Sequence, residues 1–259
     1  MGTLRLRTSA RKCDRCPVRG ASICAVDDAE LQAELDRIST IRRLEPGDVL
    51  VSGDDPSQVA GHVLDGVIRL QRTAANGRRL IVSLLTEGDM FGQVIRRMQH
   101  FTVEAATPAR VCCFERAALE RLVEANPALQ HRLLLVTLER MDWVLFWTWA
   151  LGCLSAEERV AAFLLVAARR KPFSVPGAKR PTVEIPISRP DFAAHLGTRA
   201  ETLSRSLHDL ARQEVIEILD PQHFEIVDMQ RLAEISQVET GLLDHLFGAG
   251  DPPARRPAH

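Results

Sequence analysis

Apolar residues in the first half of the chain come in short alternating or continuous runs, such as HVLDGVIRLQRT and RRLIVSLLT. Each run ends in turn chemistry. From about Leu44 to Phe114, the stretches EPGD, SGDD, DGV, NGRR and EGDMFG set Gly beside Asp, Asn or Pro, the residues that tight turns require. Short strands at regular intervals predict a β-sandwich or jelly-roll barrel. The ANG at 75–77, flanked by two such runs, predicts a hairpin with a type I′ turn.

From Ala117 to about Leu151 the period becomes helical, broken at Asn126–Pro127, where a new helix can begin. The segment PALQHRLLLVTLERMDWVLFWTWALGCL is apolar around most of its circumference, so a helix there must bury more than one face. One side is expected to cover the strands and the other a second copy of the chain, with Leu134, Met141, Val144 and Leu145 at the interface. A single central core helix is the plainer alternative.

Ser155 with Glu158 three positions on forms a capping box that opens a second, smaller unit. RKPFSVPGAKRPT then reads as a Pro/Gly-rich loop. Beyond it the sequence predicts two short helices joined at Gly197 and a two-stranded wing at Val215–Leu219 and Phe224–Val227. The fold class is α+β, with a cysteine-rich arm over 1–30, a β-roll over 31–125, a long helix over 126–154, a winged helix-turn-helix over 155–247, and a tail over 248–259, GAGDPPARRPAH, read as disordered.

Composition narrows the function. At 46% hydrophobic and 26% charged residues over 259 positions, the chain reads as soluble and globular, with room for two domains. Its 33 basic and 34 acidic residues nearly cancel, so any affinity for nucleic acid must come from a local patch. MGTLRLRTSARK lacks the apolar core of a signal peptide, and WVLFWTWALGCL falls short of the ~20 residues that span a bilayer, so a cytoplasmic protein without a membrane partner is expected. No nucleophile elbow, phosphate loop, zinc-protease helix or paired carboxylates stand in a convincing context, so no enzymatic activity is expected.

The two short helices carry the first chemistry. Ser188, with Pro190 and Asp191 behind it, announces one; the other opens at Thr198, with Glu201 three positions on. Two helices joined by a Gly-containing turn make the DNA-binding helix-turn-helix pattern. Glu201, Ser204 and Arg205 fall at i, i+3 and i+4, on one face of the opening turns of the second helix. Arg205 suits guanine, Glu201 suits cytosine N4, and Ser204 can touch a thymine or its neighbour. Arg199, Arg212 and Arg189 are candidates for phosphate contact. The plainer alternatives are a capping box closed by Glu201 or a surface ion pair of Glu201 with Arg205.

The second chemistry is sulfur. Cys13, Cys16 and Cys24 lie within RKCDRCPVRGASICAV, interleaved with Arg11, Lys12, Arg15 and Arg19. In a reducing compartment such spacing points to metal or redox chemistry rather than to disulfides. Cys-x2-Cys is also half of a zinc site.

Arm, roll, long helix and terminal helix-turn-helix, in that order, resemble the CRP/FNR superfamily of bacterial transcription regulators from Cys13 to about Val227. ETLSR matches the recognition-helix signature of the FNR branch, in which Glu, Ser and Arg read a TTGAT-type half-site, and SAEERVAAFLL matches the stretch after that branch's dimer helix. The C-x2-C-x7-C spacing and the later VCCF resemble the FnrL/FnrN-type anaerobic regulators. The resemblance implies a homodimer that binds a palindromic operator on double-stranded DNA, works with RNA polymerase, and carries an oxygen-labile [4Fe–4S] cluster, with zinc as the alternative metal. It also implies Cys112 as the fourth ligand beside Cys13, Cys16 and Cys24. Adjacent strand residues point to opposite faces, so only one of Cys112 and Cys113 can serve; Cys113 and Cys153 are then expected to be packing residues. The arm's basic residues are expected to offset the cluster's negative charge and to lower the thiol pKa values.

The superfamily's cyclic-nucleotide binders use a Gly-Glu pair and a later Arg-Ser. Here Gln93 follows Gly92, and FTVEA stands where the Arg-Ser should be, with Arg96 and Arg97 nearby in a segment of different length, so no cyclic nucleotide is expected. Nitric oxide or a haem ligand, through His62 or His100, is an alternative signal, and a metal-stabilised interaction module an alternative role. One departure stands out: the enteric pattern has an aspartate in the dimer helix where this chain has Val144, with Asp142 out of register. The dimer is therefore expected to persist without the cluster.

Overall fold

The computed structural model describes residues 12–53, 58–95, 100–170, 173, 175 and 180–247. Arg11, Asp54, Asp55, Arg96, Arg97, most of the loop between 171 and 179 and the tail expected over 248–259 lie outside the described residues, as does the Lys12 side chain.

Two short 3-10 turns, Lys12–Arg15 and Arg19–Ala21, lead into α1 (Ala29–Ile38). Then come β1 (Ser39–Leu44), β2 (Val49–Val51), β3 (Val59–Asp65), β4 (Ile68–Thr73), β5 (Arg79–Leu85), β6 (Met90–Phe91), β7 (Thr102–Ala105) and β8 (Ala109–Glu115). α2 (Arg116–Ala125), the long α3 (Pro127–Cys153) and α4 (Ala156–Arg169) follow. The chain continues through β9 (Thr182–Glu184), α5 (Arg189–His195), α6 (Ala200–Arg212), β10 (Ile216–Ile218), β11 (His223–Ile226), α7 (Met229–Ser236) and α8 (Thr240–Phe247). This is the expected α+β order of roll, long helix and winged helix-turn-helix.

Packing divides the chain into two units. One holds the residues up to Ile68 together with Leu85–Val136; the other holds Arg69–Leu84 together with everything from Thr137. Most of the β4–β5 hairpin, flanked in sequence by roll strands, thus falls in the second unit.

In the first unit an antiparallel sheet runs β1-β8-β3-β6, and β2 pairs with β7. Its register sets Ile41, Cys112 and His62 in one row, and Thr40, Cys113 and Gly61 in the next. Gly61 is required: a Cβ there would stand 2.0 Å from the Cys112 carbonyl oxygen. The outer face of this sheet is covered by a core of Ile23 and Val26 from the arm, Leu31 and Leu35 from α1, Leu119 and Val123 from α2, and Leu129 and Val136 from α3, packed on Ala60 and Phe114. Asp28 caps α1 by accepting from the Glu30 and Leu31 N–H groups. The spacing of Leu31 and Leu35 then turns one face of α1 inward.

Two expectations for the turns and the wing are corrected. Gly77 has φ +80 and its N–H donates to the Ala74 carbonyl, whereas neither Ala75 nor Asn76 has positive φ. A type I′ turn needs left-handed backbone at both central residues, so this is a type I turn closed by a glycine bulge. The wing has three strands, in the order β10-β11-β9, because Thr182–Glu184, starting at the last residue of the stretch read as loop, pairs with β11. α1, α7 and α8 are elements the sequence reading left out.

In the second unit Ser155 and Glu158 complete the capping box on α4. Cys153, expected to be packed, is exposed, because it ends α3 on a face that α4 does not cover.

Candidate metal centre and nucleic-acid interface

The arm is fixed to the first unit at several points. Val18, Ile23 and Val26 are buried. Arg132 on α3 donates to the Ser22 and Gly20 carbonyls at 3.0 and 3.3 Å. The Cys13 N–H donates to Asp36 Oδ1 on α1 at 3.1 Å, and the Cys24 N–H donates to Ser22 Oγ at 3.2 Å. Between the arm and the sheet lies a cavity of about 120 Å3, lined by Cys13, Cys16 and Cys112 with Arg15, Pro17, Ser39, Ile41, Leu64 and Arg110. Cys24 is outside that lining but close enough for its charge to act on both Cys13 and Cys112, while Cys16 acts on Cys24 and Cys112. Cys113 faces the other way and is buried in the roll.

The thiols contradict the expected effect of the arm's cations. Burial, the Asp36 hydrogen bond and the Asp36 charge push Cys13 up to about 12. Burial pushes Cys112 up to about 12, and burial pushes Cys24 up to about 11 even though Ser22 and Arg19 act to lower it. Desolvation penalises any thiolate, and here it outweighs the arm's cations. Metal binding at such thiols must displace their protons.

Among the described residues, no three His, Cys, Asp or Glu side chains converge tightly enough to hold a single metal ion. Tetrahedral zinc would draw four sulfurs to roughly 3.8 Å from one another, given Zn–S bonds of about 2.3 Å. A cubane takes one thiolate at each of its irons and so spreads them around a core. A cavity walled by three cysteines and flanked by two arginines fits the second demand better.

His62 is 1% exposed, not a surface residue. Burial holds its pKa down to about 4, and Nδ1 lies 3.2 Å from the Gly88 carbonyl.

The helix pair forms as expected at its start: Ser188 caps α5 by accepting from the Asp191 N–H, with Pro190 in the opening turn. α6 begins one residue later than predicted, with Arg199 at the cap and no side-chain cap bond, so Glu201 and Thr198 do not make a capping box there. Leu203, Ser206, Leu207 and Leu210 bury one face of α6. Glu201 and Arg205 are exposed and Ser204 half-buried on the opposite side, with Arg199 and Arg212 exposed at the two ends. Arg212 forms an ion pair with Asp209. Arg189 lies over the Phe224 ring at 5.2 Å, and burial lowers its pKa. The sequence reading missed His208, exposed one turn beyond Ser204, whose Nδ1 is 2.7 Å from the Ser204 carbonyl. The same helical period that found Arg205 would have found it.

On α3, Leu134, Leu138, Met141 and Leu145 recur at spacings of four and three, the seam of a two-helix coiled coil. All four are exposed, as are Leu135 and Val144.

Profile comparison finds the cyclic nucleotide-binding domain over residues 41–126 and the Crp-like helix-turn-helix domain over residues 158–235. The chain is 32% identical over 229 residues to the transcriptional activator protein FnrL of Cereibacter sphaeroides, covering 88% of this chain and 92% of that one. It is 32% identical over 207 residues to the nitrogen fixation regulation protein FixK of Bradyrhizobium diazoefficiens, covering 80% and 86%. The structure of FixK2 from Bradyrhizobium japonicum superimposes with a TM-score of 0.72 at 26% identity, over 78% of this chain and 99% of that one. No described helix is long and apolar enough to cross a membrane. With its roll, long helix and helix-turn-helix in the matched order, the chain belongs to the CRP/FNR family of DNA-binding transcription regulators, a family of transcription factors and not of enzymes.

Proposed function

We propose that this regulator senses dioxygen through a [4Fe–4S] cluster held by Cys13, Cys16, Cys24 and Cys112, and that the loaded form binds TTGAT-type palindromes as a homodimer and activates transcription with RNA polymerase. The observation that carries the reading is the cavity between arm and sheet, with three of the four cysteines in its wall and the fourth within electrostatic reach. FnrL, a relative matched over 88% of this chain, is named a transcriptional activator.

When bound, the cluster would supply an oxygen-labile group held between the arm and the sheet. The residues do the rest. Cys13, Cys16 and Cys24 belong to an arm that Arg132 ties to α3, and Cys112 to the sheet beneath. Arg15 and Arg110 at the cavity offset negative charge. Ordering the arm therefore bears on the same helix whose far face carries the exposed Leu134–Leu145 seam. Pairing two such helices sets two copies of α6 about 34 Å apart, one turn of DNA. Gln93 and the FTVEA stretch support a reading without a cyclic nucleotide.

The test is anaerobic purification, followed by iron, sulfide and zinc analysis and a gel shift on a TTGAT palindrome before and after air. Iron and sulfide in equal amounts, with binding lost in air, are expected. A colourless protein with stoichiometric zinc, or operator binding indifferent to air, overturns the reading.

A further inference from the structure

Two arginines on neighbouring strands share one carboxylate far along the chain. Arg69 on β4 and Arg79 on β5 both donate to Asp191, in the first turn of α5. The Asp191 side chain is 5% exposed, Arg69 14% and Arg79 29%; Arg79 also donates to Gln71 Oε1 at 3.2 Å. A second tie lies one helical turn on, where His195 Nδ1 stands 3.0 Å from the Ile81 carbonyl. His195 is packed against Trp147 and Phe163 at 4.9 and 5.7 Å between ring centres. The hairpin therefore grips the first helix of the DNA-binding pair through its side chains and its backbone.

At both ends, Ile68 and Leu85, the hairpin runs straight into residues of the first unit. At the other side of the grip, only Leu196–Arg199 separate α5 from α6. That turn is stiff: the Thr198 N–H donates to the Ala193 carbonyl at 2.9 Å, and at Gly197, with φ +59, a Cβ would meet Leu151 Cδ2 at 2.9 Å. A tilt imposed on α5 must be passed to the reading helix. The nature of the grip matters too. Apolar surfaces slide over one another at little cost, whereas a desolvated carboxylate separated from its guanidinium partners is left uncompensated, so the contact holds or breaks as a whole.

We propose that Asp191 is a positioning residue through which the β4–β5 hairpin sets the attitude of α5 and α6, so that a change in the sensor half is read out as operator affinity. The inference rests on the cysteine-arm reading for the identity of the signal, but the mechanical link does not.

The test compares wild type with Asp191→Asn, Asp191→Glu and the milder Arg79→Gln, which leaves the Arg69–Asp191 pair in place. Operator affinity is measured for the anaerobic and the air-exposed protein, alongside urea unfolding. In wild type the two forms are expected to differ by roughly 5- to 150-fold. In Asp191→Asn that ratio should shrink at least several-fold while unfolding stays cooperative, with Asp191→Glu restoring most of it and Arg79→Gln falling between. A variant that weakens both forms equally, leaving the ratio intact, overturns the proposal. Should wild type show no ratio at all, the cysteine-arm reading fails, and hydrogen exchange decides the link: amides of β4–β5 and of α5–α6 should both exchange faster in Arg79→Gln and Asp191→Asn. Faster exchange confined to the hairpin overturns it.

Discussion

At 3.1 Å the backbone N–H of Cys13 donates to the carboxylate of Asp36, so the arm's first cysteine is tethered to α1 by the kind of charge a thiolate avoids. Burial, then the Asp36 hydrogen bond and charge, hold the Cys13 thiol near 12. Asp36→Asn keeps an acceptor for the N–H and removes the charge. Its Cys13 pKa should fall, yet stay above the usual thiol range because burial is the largest cause. Alkylation of Cys13 in reduced, metal-free protein at mildly alkaline pH should speed up accordingly. An unchanged rate would show that Asp36 only anchors the arm.

The face of α6 offers a separable pair of outcomes. Glu201→Ala and Arg205→Ala remove groups suited to base edges, so each should cost about 1–3 kcal/mol on a TTGAT palindrome and relax preference at one position of the half-site. Arg199→Gln, remote from base-reading geometry at the helix cap, should weaken all duplexes alike and reduce the salt slope by about one. Arg212 is paired with Asp209, so Arg212→Gln should do less. Competition binding at several salt concentrations separates these effects. Equal losses on specific and unrelated duplexes for Glu201→Ala would remove it from base reading.

What the sequence disclosed and what it concealed divide along one physical line. Local chemistry was legible: glycines at turns, Ser188 and Pro190 opening α5, the Ser155–Glu158 box, the helical period of Glu201, Ser204 and Arg205. Asp28 capping α1 and Asp228 capping α7 were equally legible and went unread. Concealed was whatever depends on partners brought together by folding. Arg69 and Arg79 lie 122 and 112 residues from Asp191, and nothing in either neighbourhood marks the pairing. For the same reason the arm's arginines stand beside the thiols in sequence, whereas Asp36 lies 23 residues from Cys13. Nor does strand periodicity tell in which unit a hairpin will fall, and Arg69–Leu84 fall in the one that the flanking strands do not.

The seam on α3 bears on assembly. Met141 and Val144 are both about half exposed, and neither carries charge. Two such helices packed along Leu134, Leu138, Met141 and Leu145 would bury these side chains at roughly 25 cal/mol per Å2 with no facing carboxylates to oppose it. Cluster-free protein should therefore sediment as a dimer. Met141→Glu sets like charges across the two-fold axis and should give monomers at the same concentration, with an unaltered far-ultraviolet spectrum. Full dissociation of the wild type in air would refute the expectation and return control of assembly to the cluster.

His195 makes the second unit sensitive to acid. Burial, opposed by the Ile81 carbonyl and aided by the charge of Arg170, holds its pKa down to about 4, against 6.5 for a free histidine. Between those values the unfolded chain binds a proton that the folded unit refuses, so stability is full above pH 6.5 and falls as the pH drops toward 4. The loss amounts to about 3 kcal/mol at most for this one side chain. His62, held near 4 by burial in the first unit, adds its own loss in the same window. Substitution separates the two: Trp147 packs on the His195 ring, so tryptophan fluorescence follows unfolding around His195, and changing His195 alone removes its share. Urea unfolding followed by tryptophan fluorescence should lose free energy with a slope approaching one proton between pH 6 and 4.5, by the same linkage. In His195→Gln, which cannot titrate, that slope should flatten even though the variant starts from lower stability for want of the ring packed on Trp147. Parallel slopes in the two proteins would assign the acid sensitivity to other groups.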